Sequence, residues 1–454
     1  MTYPRALLLS IAVVLLVSVF PVGLCAQAPE YSLEDLYRLV LKQADRIKIA
    51  EEDVVVAEQE KNRAFSYLVP RLTASGDYRR YDQYQVGSSG SYVQPTRSSG
   101  FTVRLDQSVS LGGRELTGFR ITKTGIERSR FDLSSVQEDY LQRVAVTYYA
   151  LFRAKRAIEI QQTNVARLTK YRDASQTRLK VGEVTKTTVL RAQAELSGAS
   201  SELVKAQNAY DLTKVLLARI VGLSGDFTVK QDPYATITVE EKERMEGQLS
   251  IDGCQPLDLE CLKNKAFAQR PDLRSLELQR KIAEDQISFV RGAYFPTLSL
   301  EGAYVGRDEK PQTGGLVNDS LFGGIRLSLP IFEGGLRQAE VSQAQARERQ
   351  ARYALEDGKK GVGIEVESAY LELRTQVGIL KSLEDQLAFS RDNYGAVAKQ
   401  FEFGLASSLD VLDANTQLVT AERQMADAQF DYQLSLVRLT RSTGTLLKTV
   451  MNTR

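Results

Sequence analysis

The chain has 454 residues with 59 Lys and Arg against 57 Asp and Glu, and a net charge of +2 excludes a nucleic-acid binder that works by bulk electrostatics. Hydrophobic residues at 43% and charged residues at 26% exclude both a disordered acidic chain and a polytopic helical membrane protein. Histidine is absent, which removes the commonest general base, the commonest metal ligand and every Ser-His or Cys-His dyad.

Arg5 precedes an unbroken apolar stretch from Ala6 to Phe20, and small residues follow Pro21 at Cys25, Ala26 and Ala28. A short basic region, an apolar core and a small-residue exit describe a secretory signal peptide, placed at residues 1–26 with the cut between Cys25 and Ala28. The alternatives are an uncleaved membrane anchor and acylation at Cys25; Leu24 stands where a lipoprotein signal needs a small residue. No other segment has the length and apolarity of a membrane helix, so an exported chain of this kind is soluble, secreted or a β-barrel.

The chain that follows reads as two copies of one unit. A shift of 222 residues carries Gly112-Gly113 onto Gly334-Gly335, Gly182 onto Gly404, Leu190 onto Leu412 and Gly222 onto Gly444. Upstream a shift of 226 carries Pro70, Leu72, Gly76 and Tyr78 onto Pro296, Leu298, Gly302 and Tyr304. The first repeat is expected over 27–224, a linker over 225–260, the second repeat over 261–447 and a tail over 448–454.

Each copy predicts a helix (about 33–69 and 260–295), a Pro-led strand, a Gly/Ser-rich loop and a return strand. A very long helix follows (114–180 and 336–402), then a tight turn and a returning helix to about 221 or 443. Only 11 prolines occur in the chain and none in the long helices. Such helices need partners along their whole length. The returning helix supplies a heptad seam at Val411, Ala414, Leu418, Ala421, Met425, Ala428, Tyr432, Ser435 and Leu439, matched 222 residues earlier by Val189 through Leu217.

The strands alternate. Leu72, Ala74, Gly76 and Tyr78 oppose Thr73, Ser75 and Asp77, and Phe101, Val103 and Leu105 oppose Thr102, Arg104 and Asp106. Strands of about 10 residues with one apolar and one polar face fit a transmembrane barrel, and also half of a soluble sandwich. Four strands cannot close a barrel, whose smallest members have about eight, so a barrel would be shared among copies. Tyr78, Tyr81, Tyr84, Tyr92 and Tyr304 cluster where an aromatic girdle would lie.

Arg270-Pro271-Asp272-Leu273, Tyr294-Phe295-Pro296-Thr297-Leu298, the Gly-Gly turns and Gly404 followed by Asp410-Val411-Leu412-Asp413-Ala414 resemble the outer-membrane factor family, the TolC-like efflux proteins. The resemblance runs over about residues 33–447. It implies a mainly α protein with a small β part: a homotrimer whose 12-stranded barrel sits in outer-membrane lipid above an α-helical periplasmic tunnel. It also implies a passive export conduit, without enzymatic activity, cofactor or nucleic acid, served by a periplasmic adaptor (membrane fusion) protein and an inner-membrane transporter. A periplasmic coiled-coil scaffold with a soluble sheet is the alternative.

The family's gate aspartates correspond to Asp410 and Asp413, three copies of which would form two acidic rings favouring cations. Thr188 and Arg191 hold the equivalent places in the first repeat, and Arg191 is a candidate partner for Asp413 between neighbouring hairpins. A Tyr and an Arg that help lock the family's mouth are replaced by Phe401 and Ala406, so the lock here must use other contacts. The tips, with Gly182 and Glu183 in one hairpin and Gly404 and Leu405 in the other, resemble the surfaces that meet the adaptor. Cys254 and Cys261 are the pair left after signal cleavage, and a disulfide is expected over two free thiols. No metal site is expected without histidine.

Overall fold

The computed structural model describes residues 29–230, 254, 258–314 and 317–452; the expected signal peptide and most of the expected linker lie outside these. The chain runs β1 (Glu30–Tyr31), α1 (Leu33–Gln43), α2 (Asp45–Ser66), β2 (Arg71–Arg80), β3 (Gln85–Val86), β4 (Tyr92–Gln94) and β5 (Arg97–Ser110). The hairpin of α3 (Arg114–Lys180) and α4 (Lys186–Val221) follows, then β6 (Thr228–Val229). The second half has α5 (Leu259–Gln269), α6 (Pro271–Arg291), β7 (Thr297–Lys310), β8 (Asp319–Ser328), α7 (Leu336–Glu402) and α8 (Ser408–Ser442), and α9 (Leu446–Asn452) ends it.

A single helix is expected before each first strand, and the structure divides both. Pro271 bars Arg270 from the helical conformation, and Arg270 sits at φ −63°, ψ 125°. Ala44, 226 positions earlier, takes φ −63°, ψ 121° with no proline after it. Its side chain is buried, so packing holds that bend in place of local sequence. The strands also differ from expectation, since β5 and β7 reach 14 residues each.

Both long helices have 67 residues, about 100 Å at a rise of about 1.5 Å per residue. They pack in a row, α4 on α3, α3 on α8 and α8 on α7, with α2 and α6 laid along α3. In α8 the seam from Val411 to Leu439 is buried except at Met425, which is half-covered. In α4 only Val189, Ala192, Ala199 and Leu217 of the matching seam are buried. The asymmetry follows from position: α8 has a helix on either side, whereas α4 stands at the end of the row. Exposed apolar side chains on both end helices, Val204, Leu212 and Val215 on α4 and Ile364, Leu371 and Phe389 on α7, mark faces that one chain leaves uncovered.

The strands form one antiparallel sheet in the order β2-β5-β7-β8. Residues directly paired across it share a face, so Leu72↔Leu105↔Gly302 and Ala74↔Val103↔Tyr304↔Leu321 build one apolar face. The other face carries Arg104, bonded to Asp106 at 2.8 Å and Glu301 at 3.0 Å. The apolar face is uncovered: Leu72 is 68% exposed and Ile325 76%. Sheet and helices therefore end alike, with β2 and α4 on one flank and β8 and α7 on the other, and among the described residues no further strand or long helix continues either row.

At the base of the sheet Gly112 passes so close to Gly292 that a Cβ on Gly112 would lie 2.5 Å from the Gly292 carbonyl oxygen. This contact packs the start of the first hairpin against the end of α6. Near the middle of the helices, Cys254 is joined to Cys261 within a cluster that includes Leu262, Leu273, Val366 and Tyr432.

Candidate functional site at the hairpin tips

Both hairpins turn on a glycine in the left-handed region, Gly182 at φ 81° and Gly404 at φ 77°. In each turn a backbone N–H reaches back five residues: Glu183 donates to the Arg178 carbonyl at 3.0 Å and Leu405 to that of Gln400 at 2.8 Å. These bonds satisfy the last carbonyls of the long helices, and a Cβ at either glycine would strain them. Val181, Phe403 and Leu405 are exposed at the ends of the turns. Glu183 is held by Arg178, Nε to Oε2 at 2.8 Å.

The returning helix α8 starts with a capping box. Ser407 N–H donates to Asp410 Oδ2 at 2.8 Å, and Asp410 N–H donates to Ser407 Oγ at 3.3 Å. Hydrogen bonding to the carboxyl by the Ser407 side chain first, and by its backbone N–H second, holds Asp410 below the usual aspartate range. The spacing Ser407-Ser408-Leu409-Asp410 is the sequence signature of this box, and reading Asp410 only as a gate residue overlooks it. The first repeat has no such box; Thr185 precedes α4 and its hydroxyl lies 3.3 Å from that of Thr188.

Asp413 is exposed, one turn beyond Asp410 on the face opposite Val411, Ala414 and Leu418. Arg191 is exposed beside the buried Ala192 of α4. Among the described residues no ion pair joins Arg191 to Asp413, so that pairing is not made within one chain. Arg191 lies on α4 and Asp413 on α8, and α3 stands between these two helices in the row.

The contacts that fasten the second tip come from α3. The Arg178 guanidinium lies 4.8 Å from the Phe401 ring centroid and donates to the Phe401 carbonyl. Tyr171 packs on the same ring with centroids 5.2 Å apart, and its hydroxyl donates to Ser408 Oγ at 2.6 Å. Seven residues higher on each helix, Asn415 donates to Asn164 at 2.8 Å in a buried pair. Arg167 grips Glu422 with two bonds of 3.1 and 2.9 Å. Sequence reasoning missed Tyr171, Arg178 and Asn164, although the seven-residue step shared by Tyr171/Asn164 and Ser408/Asn415 is a heptad signal.

The family model described as outer membrane efflux protein matches residues 36–223 and 262–445. Outer membrane protein TolC of Escherichia coli (strain K12) is 24% identical over 438 residues, covering 93% of this chain and 84% of that protein. Alkaline protease secretion protein AprF of Pseudomonas aeruginosa is 23% identical over 422 residues, covering 91% of this chain and 84% of that protein. The solved structure of CusC, described with transmembrane channel formation, superposes with a TM-score of 0.78 at 16% identity, covering 91% of this chain and 92% of that one.

Proposed function

The chain belongs to the outer membrane efflux protein family, and from that premise we propose that it is the outer-membrane conduit of a tripartite efflux or secretion system. One observation carries the reading. The four-stranded sheet exposes an apolar face and a polar face, and its two edge strands end on the same flanks as the two uncovered helices. Exposed edges of this length invite pairing with another chain. Three copies joined flank to flank give a closed 12-stranded barrel, with Leu72, Leu321 and Ile325 toward lipid and Arg104, Asp106 and Glu301 toward water. The same operation joins α4 of one copy to α7 of the next and closes the helices into a tunnel.

The conduit is passive, and energy comes from an inner-membrane transporter reached through a periplasmic adaptor. The adaptor meets the tips, where Val181, Phe403 and Leu405 offer apolar contact beside Glu183. The family description speaks of efflux and the name of AprF of protease secretion, so the reading covers a conduit for either kind of cargo. The proposal is tested by fractionation and by mass in detergent. The protein should sediment with outer membranes, need detergent for release and run as a trimer. A monomer in the soluble periplasmic fraction would make the sheet part of a soluble scaffold and end the proposal.

A further inference from the structure

The last rung of the sheet is cationic. Arg80 pairs directly with Arg97, and Arg97 pairs directly with Lys310, so three positive side chains stand side by side on neighbouring strands. The alternation places them on the apolar face: Arg80 follows Ala74, Gly76 and Tyr78, and Arg97 precedes Phe101 and Val103. All three are exposed, and among the described residues none makes an ion pair. Like charges directly opposite on one face of a sheet destabilise it. Among the described residues no ion pair offsets that repulsion. The next rung on the face is Tyr78, Ser99 and Asp308, and Asp308 pairs with none of the three cations. Asp319 accepts from the Tyr304 hydroxyl at 3.2 Å and is already engaged.

Arg97 lies at the end of β5 remote from the helices, which puts the row at the outer rim of the barrel. From Val109 to Arg97 the strand rises roughly 40 Å along its axis, or about 30 Å across the membrane at the usual tilt of about 40°. On β5 the apolar side chains of this face run from Val109 to Phe101, broken by Gln107, and the polar rung of Ser99 and Asp308 separates them from the cations. The cations therefore stand beyond the apolar band, where lipid headgroups of the outer leaflet begin. The guanidinium groups of Arg80 and Arg97 bind phosphate through paired N–H donors and the Lys310 ammonium binds it as a point charge, and the rigid ladder holds their backbones in one row. We propose that Arg80, Arg97 and Lys310 form a binding site for the phosphate groups of an outer-leaflet phosphoglycolipid. The proposal rests on the channel reading, which fixes the face and the orientation.

The test uses purified full-length protein in detergent and bisphosphorylated lipid A as the probe, with dephosphorylated lipid A and inorganic phosphate as comparison arms. Wild type should bind bisphosphorylated lipid A, read by native mass spectrometry, at least tenfold more tightly than either comparison. The triple variant Arg80→Gln, Arg97→Gln, Lys310→Gln should lose that preference while still forming a trimer. Arg79→Gln, a rim cation on the opposite face 3.5 Å from Asp77, should retain it. Equal binding by wild type and triple variant, equal binding of both forms of lipid A, or an equal loss in Arg79→Gln overturns the site. Membrane fractionation of the wild type is run alongside, so a trimer in outer membranes that ignores lipid phosphates refutes this site alone, whereas a soluble protein refutes the channel reading beneath it.

Discussion

Arg178 on the first hairpin covers the Phe401 ring on the second, 4.8 Å from its centroid, while donating to the carbonyl of that same residue. With the Tyr171 hydroxyl on Ser408 Oγ, this fastens the second tip to the first through side chains and backbone together. Phe401 and Ala406 stand where resemblance places the family's locking Tyr and Arg, and in this chain a tyrosine and an arginine of α3 make the contacts at that junction.

If that junction holds the resting mouth narrow, removing it loosens the mouth without unfolding the hairpins. Tyr171→Phe deletes only the bond to Ser408, and Arg178→Ala deletes the bonds to Phe401 and Glu183 and the stacking on the ring. Each loss is of the order of 1–2 kcal/mol for bonds of this kind. In planar bilayers the double variant should open more often than either single one. Unchanged open probability in the double variant would show that the contacts hold the hairpins together without gating them.

Glu138 is buried on α3, and burial pushes its carboxyl up to about 7 against the pull of Arg441, Arg270 and the Leu447 N–H. A carboxyl whose folded value lies above its unfolded value near 4.5 binds more protons when folded. Its contribution to stability is therefore complete below pH 4.5 and declines as pH rises to about 7. The shift is worth roughly 3 kcal/mol. Glu138→Gln should match wild type near pH 4.5 and melt at a higher temperature than wild type at pH 8. Parallel melting curves for the two proteins across that range would mean that Arg441 and Arg270 already offset the burial.

Periodicity made most of the fold readable. The duplicated hairpins, the seam from Val411 to Leu439 and the strand alternation all follow from residues that must be buried or lipid-facing on one side. The break at Arg270 was legible in Pro271, but the matching break at Ala44 carries no local signal, because packing around a buried alanine sets it. The tip lock was hidden for a different reason. Tyr171 and Ser408 meet only once α3 and α8 lie in antiparallel register, and no spacing within one helix shows which residues face each other across the pair. Asp410 was read from the family motif alone, so its bond to Ser407, visible in a four-residue spacing, was overlooked.

The Cys254–Cys261 bridge closes a short loop before α5, and Asp258 caps that helix by accepting from the Cys261 N–H at 3.0 Å. Protein taken from the periplasm and denatured without reductant should leave both cysteines unlabelled by a thiol reagent. Labelling should appear at both after reduction. Full labelling before reduction would show that the thiols stay free in the cell envelope.

The gate test must separate charge from helix capping. Asp410 does two things: it carries a charge that its Ser407 bonds keep ionised into acid, and it accepts the N–H that starts α8. Replacement by alanine removes both, so altered conductance in Asp410→Ala would not identify which mattered. Asparagine keeps an acceptor oxygen at the cap and removes the charge. Asp413 has no bond to lose, since it is exposed and unpaired among the described residues. In a trimer the two positions would give six carboxylates around the mouth. Asp410→Asn with Asp413→Asn should weaken cation preference and block by divalent cations. Arg191→Ala should do the reverse, strengthening divalent block, if Arg191 of one copy approaches the ring across a subunit boundary. The decisive quantity is the reversal potential of the double asparagine variant in a salt gradient. A value equal to wild type would place both aspartates on a solvated helix face, leaving Asp410 with its capping role and the constriction somewhere else along the tunnel.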